Sequence, residues 1–208
     1  MPRSTNQRPT RPHGAFTIIE LLVVISIIGI LIGIVIHSVS GVSRSALQAK
    51  TRIQFNQWST AIEAFRQEYG YYPNFTLFPT GTIDDANKTA QFVQTLSGRK
   101  LDGTPLVSGD PGYAAGNTKA IQFCSFGTND MNPGNVLQDA FGNPAIVVLM
   151  DNTYDGLIKI GDVAAGADYA SSPTVIGAAG PLAVGAYVRA GVIFYSAGAG
   201  DTPVTSWE

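Results

Sequence analysis

The chain reads as an α+β protein, a long N-terminal helix followed by a small domain built on an antiparallel β-sheet. Three observations predict this. Residues 16–36 are apolar apart from one charge, and no proline falls between Pro12 and Pro73. Beyond residue 71, nine prolines from Pro73 to Pro203 interrupt the chain too often for long helices.

Bulk properties narrow the functional classes. At 208 residues the chain can bury a real core. Its net charge of −2 offers no basic footprint for nucleic acid, so no nucleic-acid partner is expected. The single cysteine, Cys124, excludes an internal disulfide and a cysteine-rich metal site. Lying between Phe123 and Phe126, it reads as a small buried hydrophobe rather than a nucleophile. The charge is unevenly placed: residues 1–15 hold Arg3, Arg8 and Arg11 and no acid, leaving ten basic against fifteen acidic side chains elsewhere. A basic head, an apolar span and an acidic body predict a single membrane crossing with residues 1–15 in the cytoplasm.

Residues 16–36 cover roughly 31 Å as a helix, about one bilayer core. A secretory signal peptide would carry its small residues after the apolar run, whereas Gly14 and Ala15 precede it. Glu20 is the exception inside the run. A carboxylate near the start of an apolar helix either snorkels to the headgroups or waits for a positive partner from another subunit. Gly29 and Gly33 form a GxxxG pair, through which membrane helices approach closely.

The run Ala15-Phe16-Thr17-Ile18-Ile19-Glu20-Leu21-Leu22-Val23-Val24-Ile25 resembles the processing motif of type IV prepilins and pseudopilins. The resemblance implies cleavage between Ala15 and Phe16 by a prepilin peptidase, methylation of the new Phe16 amine, and Glu20 as the fifth mature residue. Relatives usually carry glycine where Ala15 stands; cutting after Gly14 would move Glu20 to sixth place and spoil the spacing. Glu20 would then neutralise the amine of a neighbouring subunit and set the axial register of a filament, a role buried ion pairs can serve.

Val39, Val42, Ala46, Ala49, Ile53, Ala61, Ile62, Phe65 and Tyr69 recur at three- and four-residue steps, so the helix is expected to continue to Gly70. Trp58, Phe65 and Tyr69 are expected to pack on the domain that follows. The expected organisation is a leader at 1–15, a transmembrane helix at 16–37, an extracytoplasmic amphipathic half at 38–70 and a pilin-like globular domain at 71–208.

In the last of these, a short helix is expected within 84–98, with Ala90, Phe92, Val93 and Leu96 on one face. The clearest strands are 145–150 and 191–196. Residues 161–185, rich in Ala, Gly and Ser, read as a long surface loop. Glu68-Tyr69-Gly70-Tyr71-Tyr72-Pro73, Asp139-Ala140-Phe141-Gly142-Asn143-Pro144, Phe194-Tyr195-Ser196-Ala197-Gly198-Ala199-Gly200-Asp201 and Thr205-Ser206-Trp207 resemble phrases of the major pseudopilin of type II secretion. Members of that branch bind calcium in the loop after the last strand, where this chain offers only Asp201 and Glu208.

A second acidic run, Asp151 to Asp162, supports two readings. Asp151, Thr153, Asp155 and Asp162 stand at positions 1, 3, 5 and 12 of an EF-hand-type calcium loop, with Gly156 at position 6. Alternatively, Asp155-Gly156 turns a metal-free hairpin between Val147-Val148-Leu149-Met150 and Leu157-Ile158-Lys159-Ile160.

No catalytic constellation is visible, and the chain is expected not to be an enzyme. His13 and His37 are the only histidines, and there is no Walker loop, HExxH or dinucleotide fingerprint. The resemblance implies a structural subunit of a type II secretion pseudopilus in the bacterial inner membrane. Its expected partners are further copies of itself, prepilin peptidase, the inner-membrane assembly platform and membrane lipid. The alternatives are a type IV pilus subunit and a membrane-tethered calcium- or sugar-binding module.

Overall fold

The computed structural model describes residues 16–175, 180–199 and 203–207, with side chains of 34–40 outside the described set. The chain divides into two compact units, Met1–Ser43 and Arg44–Glu208, taken separately below. Helix α1 is Ile18–Tyr69.

In the first unit every described side chain of α1 is exposed, among them Ile18, Leu21, Ile25, Ile28 and Ile32. These residues have no protein cover, and water is a poor solvent for them. The predicted span reaches Ile36, and 34–36 belong to the side chains outside the described set. Among the described residues no helix is long and apolar enough to cross a membrane.

The second unit is organised around two strands that are apolar on both faces. Strand β2 (Ile146–Met150) pairs antiparallel with β5 (Val192–Ser196), and all ten residues are buried. Strands β1 (Thr82–Ile83) and β6 (Val204–Thr205) complete an antiparallel sheet of order β1-β2-β5-β6. The pleat sends Ile146, Val148, Met150, Val192 and Phe194 to one core and Val147, Leu149, Ile193 and Tyr195 to another. Continuous apolar strands of this kind require cover on both sides.

The first cover is helical. From α1 come Phe55, Trp58, Ala61 and Ile62, spaced as one face of a helix. Trp58 stands edge-on to Phe92 and Phe194, with ring centroids 5.6 and 5.7 Å away, and Phe55 stacks on Phe194 at 5.6 Å. Phe92 belongs to α2 (Ala86–Ser97), whose Phe92, Val93 and Leu96 are buried as expected, while Ala90 is only half-buried. Asp85 caps α2 by accepting from the Lys88 N–H at 2.9 Å, and Gly98 closes it in the left-handed region. A side chain on Gly98 would also run into the Ala120 carbonyl. The one-turn helix α3 (Pro111–Ala114) follows.

The second cover is assembled from a ribbon and a loop. Strand β3 (Ile158–Lys159) pairs with β4 (Tyr187–Val188), not with β2. The Asp155-Gly156 turn therefore joins two different sheets, and the expected β2–β3 hairpin does not form. Residues 161–185 are more than a surface loop: Tyr169 and Val175 sit in the core with Val147, Leu149, Ile193 and Tyr195. A sheet this apolar cannot leave that face to water, and the loop supplies its cover.

The amphipathic stripe of α1 also differs from expectation. In the second unit its buried face is Thr51, Phe55, Trp58, Ala61, Ile62 and Phe65, whereas Ala46, Ala49 and Ile53 point to solvent. Val42, in the first unit, is likewise exposed. Tyr69 is half-buried and donates from its hydroxyl to Asn117 Oδ1 at 2.8 Å.

The resemblance phrases are structural. Gly70, with φ 81°, ends α1 and donates to the Arg66 carbonyl. Asp139, buried, accepts from the N–H groups of Phe141 and Asn143, from Asn143 Nδ2 and from Ser196 Oγ, tying its turn to the end of β5. Trp207 meets Tyr195 edge-on at 6.2 Å. Cys124 is half-buried, and burial first, then the Asp130 charge, pushes its thiol above the ordinary value. It stays protonated at neutral pH, but it is less buried than expected, packing on the aromatic core with one side open.

Truncating Trp58 to alanine is expected to destabilise the second unit by about 3–5 kcal/mol, measured by urea unfolding. Burial also pushes Tyr169 up to about 12 and raises Tyr72 and Tyr195 above 10. The folded state thus holds these protons after the unfolded chain has lost them. Their contribution is complete below pH 10 and is lost as pH rises through the folded values, about 3 kcal/mol for Tyr169 alone. Tyrosinate absorbance should show three of the eight tyrosines failing to ionise near pH 10 until the chain unfolds.

Candidate functional site

Phe16 and Thr17 precede α1, and the chain enters the helix at Ile18. The Thr17 N–H donates to Glu20 Oε2 at 2.9 Å, and the Thr17 hydroxyl donates to the same oxygen at 2.9 Å. In return the Glu20 N–H donates to Thr17 Oγ1 at 3.3 Å and to the Thr17 carbonyl at 3.1 Å. This reciprocal arrangement is a capping box: Thr17 is the N-cap, Glu20 the third helical residue, and each satisfies a backbone donor of the other. An N–H group at the start of a helix has no partner further back, and hydrocarbon would offer it no water. Glu20 supplies that partner from within the chain.

The capping role is absent from the expectations above, although its signal is present. Thr17-Ile18-Ile19-Glu20 is the [ST]-x-x-[DE] pattern ahead of an apolar run. One Glu20 oxygen accepts both Thr17 donors, and no other hydrogen-bond or ion-pair partner of Glu20 lies among the described residues. The carboxylate therefore keeps capacity for a further cationic donor. Phe16 is 83% exposed. Ala15, the other residue of the predicted scissile bond, lies outside the described residues.

Gly29 and Gly33 are exposed, and nothing lies within 4 Å of where a side chain would project at either. The backbone of α1 is bare at both positions, as close helix–helix approach requires.

The acidic run at 151–162 forms a turn held by its own carboxylates. Asp151, almost fully buried, accepts from the Gly156 N–H at 2.7 Å, the Asp155 N–H at 3.2 Å and Thr153 Oγ1 at 3.2 Å. Asp168 accepts from the Thr153 N–H at 3.0 Å and the Lys159 N–H at 2.8 Å. Asp155 pairs with Lys159, whose ammonium holds the Asp155 carboxyl below its ordinary range. Asp162 is engaged elsewhere, accepting from the Ala164 N–H to cap the single 3-10 turn Val163–Ala165.

The predicted EF-hand-type set of Asp151, Thr153, Asp155 and Asp162 is thus not gathered into a cage. Asp168, which was not expected here, is the second carboxylate of the turn. Among the described residues no group of three or more His, Cys, Asp or Glu side chains is placed to hold a metal ion. Asp201 and Glu208, from the terminal calcium reading, lie outside the described residues.

Residues 10–36 match the family model of the prokaryotic N-terminal methylation motif. No curated protein and no solved structure matches the chain. The matched segment contains Phe16, the Thr17–Glu20 box, Gly29 and Gly33, so residues 10–36 carry a prepilin-type methylation motif.

The Asp151 turn supplies a test of its own. Asp151→Asn, which keeps the shape and removes the charge, is expected to cost about 2 kcal/mol, since its acceptor bonds are charge-assisted and buried. Thermal melting of the wild-type chain is expected to give one midpoint in EDTA, in calcium and in a magnesium control. A calcium-specific rise that Asp151→Asn abolishes would restore the cage reading.

Proposed function

We propose that the chain is a filament subunit of a type II secretion pseudopilus, cut between Ala15 and Phe16 by a prepilin peptidase, methylated on Phe16 and polymerised through α1. The observation that carries this reading is the methylation motif with Glu20 at its fifth mature position. The phrases at 139–144 and 194–201 support the secretion branch over a surface pilus. The 16–37 segment anchors the chain once in the inner membrane, with the second unit outside the cytoplasm. Its partners are further copies, the peptidase, the assembly platform and lipid. The protein has no catalytic role in this reading.

Cleavage creates a positive amine on Phe16. Glu20, held by Thr17 and open to a cation, is suited to receive the amine of a neighbouring subunit. That contact removes an unpaired charge from low dielectric and fixes the axial step between subunits. The exposed apolar side chains of 18–32 gain cover from the lipid before assembly and from neighbouring helices after it.

Mass spectrometry of the membrane-extracted chain is expected to show loss of residues 1–15 and the gain of one methyl group. A mature chain beginning at Met1, beside an active peptidase, would refute processing. Two substitutions separate the roles of Glu20. Glutamine can still accept the Thr17 N–H bond but cannot neutralise an amine. Glu20→Gln is therefore expected to be inserted and cleaved normally yet to yield at least tenfold fewer filaments, as should Glu20→Ala. Wild-type yields from Glu20→Gln alongside failure of Glu20→Ala would reduce Glu20 to a helix cap.

A further inference from the structure

The outward face of α1 in the second unit carries a line of small, apolar and uncharged polar side chains between two cations. Ala46, Ala49, Ile53, Asn56 and Thr60 recur in steps of three and four, form one line along the helix and are exposed. This line lies opposite the buried face of Thr51, Phe55, Trp58 and Ile62. Lys50 and Arg52 flank it on either side and are exposed. Ile53, Asn56, Gln57 and Thr60 also form one wall of an open groove of about 480 Å³, and Phe123, Cys124 and Ser125 form the other. The spacing is that of a helical seam with cations at its edges.

The charges on this segment have no acidic partner among the described residues, although Arg44 donates to the Ala199 carbonyl. No acid occurs between Glu20 and Glu63, so 44–62 carries Arg44, Lys50 and Arg52 uncompensated. In the body of the unit five of the seven cations, Arg66, Lys88, Lys100, Lys119 and Lys159, are each ion-paired with a carboxylate of the same chain; Arg99 and Arg189 are not among the described pairs. Lys50 and Arg52 pair with nothing among the described residues. Residues 63–208 hold seven basic and fourteen acidic side chains, a formal −7. Exposed Asp102 and Asp162 take part in no ion pair among the described residues.

These facts select the occupant. Two such seams facing each other would set Lys50 and Arg52 against their own copies, and like charges at that range repel. A homotypic pairing of this segment is therefore disfavoured. The acidic body of another subunit offers the opposite sign, and the chain carries that surface in every copy.

We infer that the Ala46–Ala49–Ile53 seam and its adjoining groove dock on the acidic body of a second copy of this chain, with Lys50 and Arg52 meeting its carboxylates. This rests on the filament reading above and adds a heterologous, head-to-tail contact to the one made at Glu20. The sole thiol, Cys124, lines the groove and reports on its occupancy.

The test uses the full chain in a host with its assembly machinery. Maleimide labelling of Cys124 at one pH is expected to be at least tenfold slower in sheared wild-type filaments than in detergent-dispersed subunits. Lys50→Glu/Arg52→Glu is expected to be cleaved at Phe16 and to melt like the wild type, yet to give at least tenfold fewer filaments. Lys50→Arg/Arg52→Lys should assemble normally. Equal labelling of Cys124 in both states overturns the proposal, even if the reversed variant fails to assemble, because its cations would then act elsewhere, as on anionic lipid headgroups. Wild-type filament yields from the reversed variant overturn it too and leave the filament reading standing. Failure of the mature wild-type chain to form filaments would remove both.

Discussion

Ten consecutive-strand residues, five in β2 and five in β5, are buried on both sides of one sheet, and the second unit is arranged to meet that demand. A sheet with one wet face needs a single layer against it. This one needs two, and the chain supplies them from distant places. α1 and α2 deliver an aromatic cluster around Trp58 to one face, while the β3–β4 ribbon and the Tyr169–Val175 stretch close the other. Close approach matters as much as apolar area. At Gly191, just before β5, a side chain would collide with the Glu63 carboxylate and the Tyr72 hydroxyl. Those two groups are themselves hydrogen-bonded at 2.9 Å, with Arg66 donating to the same hydroxyl at 2.8 Å. The polar link between the end of α1 and the sheet is thus packed to the limit of a glycine.

The first unit obeys a different constraint. Its described side chains bury nothing in the protein, so what holds that part of α1 is backbone hydrogen bonding and its surroundings. An apolar environment penalises each unsatisfied N–H at a helix start, and the Thr17–Glu20 box answers that locally. Under the proposed function the same carboxylate would do two things, cap its own helix and offer charge to another chain. The first uses one oxygen, which is why the second is compatible with it.

Much of this was legible in the sequence where a local signal and the global fold agree. Proline-free length announced α1, and the apolar runs at 145–150 and 191–196 became paired strands. Helix α2 fell inside the expected 84–98. Legibility failed where the decisive partner was remote. Asp155-Gly156 is a strong hairpin dipeptide, but β3 found its partner at Tyr187–Val188, almost thirty residues on, because the β2 edges were already taken by β1 and β5. On α1, three- and four-residue spacing fits more than one face, so a periodic reading merged Ile53 with Ile62 although one is 59% exposed and the other fully buried. The acidic run matched a calcium loop by spacing alone, and spacing does not say that Asp151 would spend its oxygens on the backbone N–H groups of its own turn. At the N-terminus, the box pattern at Thr17–Glu20 was present but eclipsed by the oddity of a charge in an apolar run.

The position of the capping box relative to the predicted cut has a consequence for maturation itself. Both Thr17 and Glu20 lie on the retained side of the bond before Phe16, and every hydrogen bond of the box is made between those two residues. On the proposed cut, loss of the leader would take away three arginines and uncover an amine while leaving the Thr17–Glu20 bonds in place. In the proposed pathway, maturation would change the charge at the tip of α1 and spare its capping box.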